Sequence, residues 1–169
     1  MFVPWRLVAS WHCEACGACC VQYRVRLRTY EFLKLRKTGF VEERAGRFYI
    51  KKIGKFCPFQ SGNLCSLGNF KPLVCKIYPF SILKRGEELA SFEFEGEEFF
   101  VYVDSFCKNV KIKKDPKPSI EKEVIEALEI MIGRRFEMNL LTAKLIQETR
   151  VLQQPHIHRL KELQDLQVL

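Results

Sequence analysis

From residue 21 to 28 the chain alternates strictly. Val21, Tyr23, Val25 and Leu27 fall on one side, and Gln22, Arg24, Arg26 and Arg28 on the other. Period-two alternation predicts a half-buried β-strand over 21–28. Thr29 then opens a segment, YEFLKLRKT, that stops at Gly39. A hydroxyl cap and a terminal glycine bracket a short helix there. RFYIKKI at 47–53 predicts a further strand. ELASFEFEGEEFFVYV at 88–103 predicts a hairpin turning about Gly96, with Phe92 and Phe94 alternating with Glu93 and Glu95 on its first arm. Residues 56–80 are rich in Cys, Pro and Gly. They predict loops with one helical turn near 72–77.

The period changes late in the chain. KNVKIKKDPKP at 108–118 reads as a Lys/Pro linker. Ser119 is placed to cap a helix, with Glu121 and Glu123 in its electropositive first turn. Val124, Leu128, Met131, Ile132 and Phe136 recur at helical spacing. The pattern runs on to Ile146, weakened at Gly133; Pro155 interrupts it, and Leu160, Leu163 and Leu166 mark a short closing helix. No internal repeat or low-complexity tract occurs. These elements predict an α+β fold. Residues 1–107 form a small cysteine-rich, metal-organised body with short strands and helices, 108–118 a linker, and 119–169 a helical C-terminal segment packed on the body.

Eight cysteines change the picture. Cys13, Cys16, Cys19 and Cys20 crowd into WHCEACGACC, and Cys57, Cys65, Cys75 and Cys107 follow at wider spacing. A chain of 169 residues, 47% of them hydrophobic, buries a core without covalent staples. The opening MFVPWRLVASW contains Pro4 and Arg6 and no long apolar run, so it does not read as a signal peptide. The apolar runs, such as 99–103, are far too short to span a bilayer. A cytoplasmic chain without membrane contact is expected, and thiols there stay reduced. Four disulfides are the alternative, and the adjacent pair Cys19 and Cys20 suits it poorly.

Cys13-x₂-Cys16-x₂-Cys19 is a spacing by which a short loop wraps a [4Fe–4S] cube, with a fourth thiolate from a distant residue. Cys57, followed by Pro58, has the form of such a fourth ligand. Zinc competes. A zinc ribbon pairs two C-x₂₋₄-C knuckles, and only the first half of this chain offers one. The iron–sulfur cluster therefore ranks ahead of zinc, with Cys20 and the later cysteines available to a second centre. The net charge of +8 counts thiols as neutral. A tetrathiolate around Zn²⁺ or an oxidised cube carries −2, so two such sites would take +8 to +4. Phe56, Phe59, Phe70, Tyr78 and Phe80 lie near the second cysteine group and suit a dry shell around a cluster or an ordinary aromatic core.

CEACGACC, followed by FCPFQSGNLCSLGNFKPLVCKIYPF, resembles the CxxCxxCC domain family of zinc- or iron-chelating, YkgJ-type cysteine-cluster proteins. The family pattern is CxxCGxCC, a Cys-Pro-Phe segment, a lone Cys and RPxxCRxYPF. Lys71 and Lys76 stand here where arginines are usual, keeping the charge without the planar fork. The likeness covers roughly 11–107. It implies Cys13, Cys16, Cys19, Cys20, Cys57, Cys65 and Cys75 as ligands, with Cys107 the last candidate of the set. A related cysteine-cluster domain in flagellin lysine methylases extends the implication to redox or methyl-transfer chemistry.

Other catalytic signatures are missing: no P-loop, GxGxxG, GxSxG or HExxH occurs. His12 is a neighbour of a cysteine, and His156 and His158 read as surface residues. Glu87, Glu88, Glu97 and Glu98 read as a solvated face. The expectation is an iron–sulfur protein with a redox or protein partner, resembling an Fe–S oxidoreductase or serving a modification system. The alternative is a zinc-stabilised binding module whose lysines 108, 111, 113, 114 and 117, with Lys51, Lys52, Lys55 and Arg85, meet nucleic acid. Those lysines lack interleaved aromatics, which favours a solvated linker.

Overall fold

The structure, a computed structural model, describes residues 1–135. The chain runs β1 (Phe2–Pro4), β2 (Val8–Ser10), α1 (Ala18–Gln22), β3 (Arg26–Leu27), α2 (Thr29–Leu35), β4 (Val41–Arg44) and β5 (Arg47–Ile50). It continues through β6 (Gln60–Ser61), β7 (Leu64–Cys65), α3 (Leu73–Lys76), β8 (Phe80–Leu83), β9 (Ser91–Phe94), β10 (Glu97–Asp104), β11 (Lys111–Ile112) and α4 (Glu121–Met131). The described part is thus an α+β mixture.

The alternation of 97–104 builds the centre of the largest sheet. Phe99, Val101 and Val103 are buried on one face of β10. Strand β9 reaches β10 through a two-residue turn at Glu95 and Gly96, both with positive φ (55° and 77°). That is the primed turn which matches strand twist. Phe100 pairs with both Ser91 and Leu83, so β9 and β8 lie on opposite edges of β10. Strand β1 takes the far end, with Phe2 opposite Asp104. The first and 104th residues therefore meet, and β11 against β2 tightens the same junction.

The strand expected over 21–28 is shorter than its pattern. Gly17, at φ 74°, turns the cysteine loop into α1. The amides of Cys20 and Tyr23 then donate to the Gly17 and Cys19 carbonyls at 3.0 Å, which removes them from any ladder. Only Arg26–Leu27 pair, against Phe48 and Tyr49 of β5. The alternation survives as burial: Val25 and Leu27 are inside, and Arg24, Arg26 and Arg28 outside. The helix after Thr29 forms, but Thr29 is its first residue and not its cap; the Glu31 carboxylate reaches back to the Arg28 amide at 2.7 Å. Gly39, at φ 75°, ends the following turn. The strand expected over 47–53 ends at Ile50. The first part of the 88–103 hairpin, Glu88–Ala90, is a 3₁₀ turn. The helical turn near 72–77 is α3.

Within 108–118, Lys111 and Ile112 pair with β2, and the Lys113 amide donates to the Leu7 carbonyl at 2.9 Å. Ser119 does not cap α4: its hydroxyl is engaged with Lys113 and the Lys117 carbonyl. Helix α4 carries Glu121 and Glu123 in its first turn and stops at Met131, where Gly133 (φ 83°) takes the left-handed conformation that closes a helix. The helical pattern from Phe136 to Ile146, Pro155 and the Leu160–Leu163–Leu166 stripe lie outside the described residues.

Two cores result. Trp5, Val8, Trp11, Phe80, Val101 and Leu128 belong to the first, which joins the β10 sheet to α4. Val25, Leu27, Leu35, Ile50 and Phe59 belong to the second, beneath β3, β5 and α2. The cysteine loop and α3 run between them. Among the described residues no helix is long and apolar enough to cross a membrane.

Candidate metal centre

All eight cysteines line one cavity. None is in a disulfide. The loop 13–20 forms one wall, the β6–β7 hairpin with Cys57 and Cys65 a second, α3 with Cys75 a third, and the turn after β10 with Cys107 a fourth. Gly17 lets the first two walls close. A Cβ on Gly17 would stand 2.8 Å from Gln60 Nε2 and 3.3 Å from Asn63 Cα, so a side chain would pry the loop from the hairpin. Glu31 holds the third wall: its buried carboxylate accepts the Leu73 amide at the start of α3 at 2.7 Å.

The electrostatics favour thiols in some places and thiolates in others. Burial pushes Cys13, Cys57, Cys75 and Cys107 above the ordinary thiol range. Backbone amides two residues on oppose this at three of them: Ala15 at Cys13, Phe59 at Cys57 and Asn109 at Cys107. The Ala15 amide lies 3.4 Å from Cys13 Sγ. Cys20 donates its S–H to Cys19, which raises Cys20 and draws Cys19 down to about 6 against the opposing effect of burial. The charge of Lys71 also favours the thiolate of Cys13, Cys19 and Cys75.

Trp11 is 4% exposed, yet its indole N–H has no partner of hydrogen-bonding geometry. It lines the cavity and lies on the Cys107 side, where its dipole favours the thiolate. A buried orphan donor costs about 1–3 kcal/mol unless an acceptor reaches it. Thiolate or sulfide would be such an acceptor, so the donor set fits a metal–sulfur group.

The cavity measures about 90 Å³, well above the roughly 10–15 Å³ needed to admit one water. Its sulfurs stand around this space and do not pinch onto a point. Among the described residues no group of three or more His, Cys, Asp or Glu side chains is placed to hold a single ion directly. Val25, Ile50, Leu67 and Val74 make much of the wall apolar.

Of the aromatics near the second cysteine group, only Tyr78 lines the cavity. Phe59 and Phe80 are buried in separate cores, and Phe56 and Phe70 are 59% and 61% exposed. Trp11, Tyr23 and Phe106 take the lining role instead; nothing in their spacing announces it, because each arrives from a different element. Several of the basic-surface lysines are engaged locally. Lys108 pairs with Glu14 at 3.4 Å, Lys117 with Asp115 at 3.2 Å, and Lys52 donates to the Val21 carbonyl. His12 faces Glu14 at 3.4 Å and is absent from the cavity lining. His156 and His158 lie outside the described residues.

Residues 12–108 match the family model described as "CxxCxxCC: Putative zinc- or iron-chelating domain". The chain is also similar to the "Uncharacterized protein MJ0939" of Methanocaldococcus jannaschii, 29% identical over 140 residues. That match covers 76% of this chain and 46% of the relative, so the chain spans about half the relative's length. No solved structure matches the chain.

Proposed function

The chain belongs to the CxxCxxCC family of zinc- or iron-chelating domains, and from that premise we propose that its cysteine cavity holds an iron–sulfur cluster that exchanges single electrons with a redox partner. The carrying observation is a single, largely apolar cavity of about 90 Å³ lined by all eight thiols. That space suits a polynuclear centre better than one ion clasped by touching sulfurs. A cluster bound there supplies one-electron transfer. The chain's own groups prepare the site. Lys71 favours ionised sulfur at three cysteines. The Ala15 amide and the Trp11 indole offer N–H dipoles to sulfur, and such contacts set cluster potentials. The apolar wall limits water. Free thiols throughout support a reducing, cytoplasmic setting.

Anaerobic purification followed by iron, zinc and acid-labile sulfide analysis tests this. The expected result is brown protein containing iron and sulfide, with a broad visible absorption that dithionite bleaches. Colourless protein carrying zinc and no sulfide overturns the iron–sulfur assignment and leaves the zinc-stabilised module.

A further inference from the structure

The cavity is continuous, but its cysteines divide between the two cores that meet there. Cys13 and Cys107 pack against the core of Trp5, Trp11 and Phe80. Cys20, Cys57, Cys65 and Cys75 belong with the core of Val25, Ile50 and Phe59. Cys16 and Cys19 lie on the loop between.

Cys19 ends the Cys13-x₂-Cys16-x₂-Cys19 triplet. It adjoins Cys20 inside α1, where successive side chains diverge by about 100°. The two thiols touch, Cys20 donating its S–H to Cys19, so the two groups meet at this pair.

We propose that the eight cysteines form two tetrathiolate centres, Cys13, Cys16, Cys19 and Cys107 in one and Cys20, Cys57, Cys65 and Cys75 in the other, meeting at Cys19 and Cys20. The proposal rests on the metal-binding reading of the cavity. Cys107, not Cys57, completes the first set, because β1 against β10 and β11 against β2 carry the turn after β10 to the amino-terminal loop. Lys71 lines the cavity that both sets share. Each tetrathiolate around Zn²⁺ or an oxidised cube carries −2, so a cation shared by both lowers their mutual repulsion.

The full chain, loaded anaerobically with Fe²⁺ and sulfide or with Zn²⁺ alone, is treated with iodoacetamide under native conditions, and modified cysteines are mapped by mass spectrometry. Two centres per chain and no modified cysteine are expected. Cys107→Ser should lose half the metal and expose Cys13, Cys16 and Cys19 only. Cys65→Ser should lose the other half and expose Cys20, Cys57 and Cys75 only. One centre with four modified thiols in the unsubstituted protein, or protection of Cys57 lost in Cys107→Ser, overturns the partition while leaving metal binding intact. Should either variant not fold, Cys13→Ser, expected to expose Cys16, Cys19 and Cys107 only, and Cys57→Ser, expected to expose Cys20, Cys65 and Cys75 only, make the same test. No bound metal and eight reactive thiols would sink the metal reading itself.

Discussion

The Glu31 carboxylate, on α2, accepts the backbone N–H of Leu73 at 2.7 Å. The same carboxylate accepts the Arg28 amide at 2.7 Å. One buried side chain thus closes the first turn of α2 and fixes the start of α3, which carries Cys75. A four-residue helix such as α3 has little stability of its own, so this anchor positions a sulfur that is far away in sequence.

Replacing Glu31 by Ala leaves both amides without an acceptor. The expected cost is about 2–6 kcal/mol, since each of the two stranded donors costs about 1–3. Glu31→Gln keeps one acceptor oxygen and is expected to lose less. Thermal melting and metal content together check this: both should fall in the order wild type, Gln, Ala. Unchanged metal content in Glu31→Ala would mean that α3 holds Cys75 without the anchor.

Gly17 and Gly39 share nearly the same backbone, at φ 74° and 75°. They differ in surroundings. A Cβ at Gly39 meets nothing within 4 Å, whereas one at Gly17 meets Gln60 and Asn63. Alanine at either position costs about 1–3 kcal/mol for left-handed strain. Only Gly17→Ala should also separate the cysteine loop from the β6–β7 hairpin and reduce metal retention. Chelator-release rates of the two variants isolate that contact; equal rates would show that the close approach does not matter to binding.

Much of the fold is legible in local pattern. The β9–β10 hairpin follows from alternation and Gly96, and the buried face of α4 from Val124 and Leu128, whereas Ile132 of the same pattern lies past the helix end and is exposed. Local pattern fails where long-range pairing decides. Strand β1 is three residues long and exists because β10 offers it an edge. The 21–28 alternation is real as burial, but Gly17 spends its first residues on a helical turn. Sulfur spacing gathers the candidates, and Cys57-Pro58 has the local form of a partner for the first triplet. Chain topology also carries Cys107 to the cavity that Cys13 lines, and no spacing rule contains that junction. Trp11 immediately precedes the cysteine motif, and its orphan N–H is visible only once Phe80 and Cys107 are packed around it.

The pH dependence of the metal-free, reduced protein should carry two opposite slopes. Cys19, lowered to about 6, favours the folded state once pH exceeds that value, and its contribution is complete above the ordinary thiol pKa. Stability therefore rises from pH 6 to about 8.5. Cys13, Cys20, Cys57, Cys75 and Cys107 are raised. Above about 8.5 the unfolded chain gives up those protons and the folded chain keeps them. The folded state then binds more protons, so stability falls with rising pH. Metal loading reverses the alkaline limb, because bound thiols are already ionised, and moves the loss to acid, where protons displace metal. Urea midpoints across pH 5–10, with and without metal, check this. A metal-free protein that gained stability above pH 9 would contradict the burial of those thiols.

Trp11→Phe tests the tuning of the proposed cluster. Phenylalanine keeps an aromatic ring against Phe80, whose centroid lies 5.2 Å from that of Trp11, but it has no N–H for the Cys107 side of the cavity. A donor to cluster sulfur stabilises the reduced, more negative state, so its loss should lower the midpoint potential. A net hydrogen bond of about 1 kcal/mol corresponds to about 40 mV for one electron. The smaller ring also leaves unfilled volume in the first core and should cost about 1–3 kcal/mol of stability. The two effects separate by measurement, potential by redox titration and stability by melting. Trp11→Leu should lower stability further while matching the potential of Trp11→Phe, because both lack the same donor. A potential that tracked stability across the pair, or that did not move at all, would show the indole N–H to be a packing accident and not a contact to the centre.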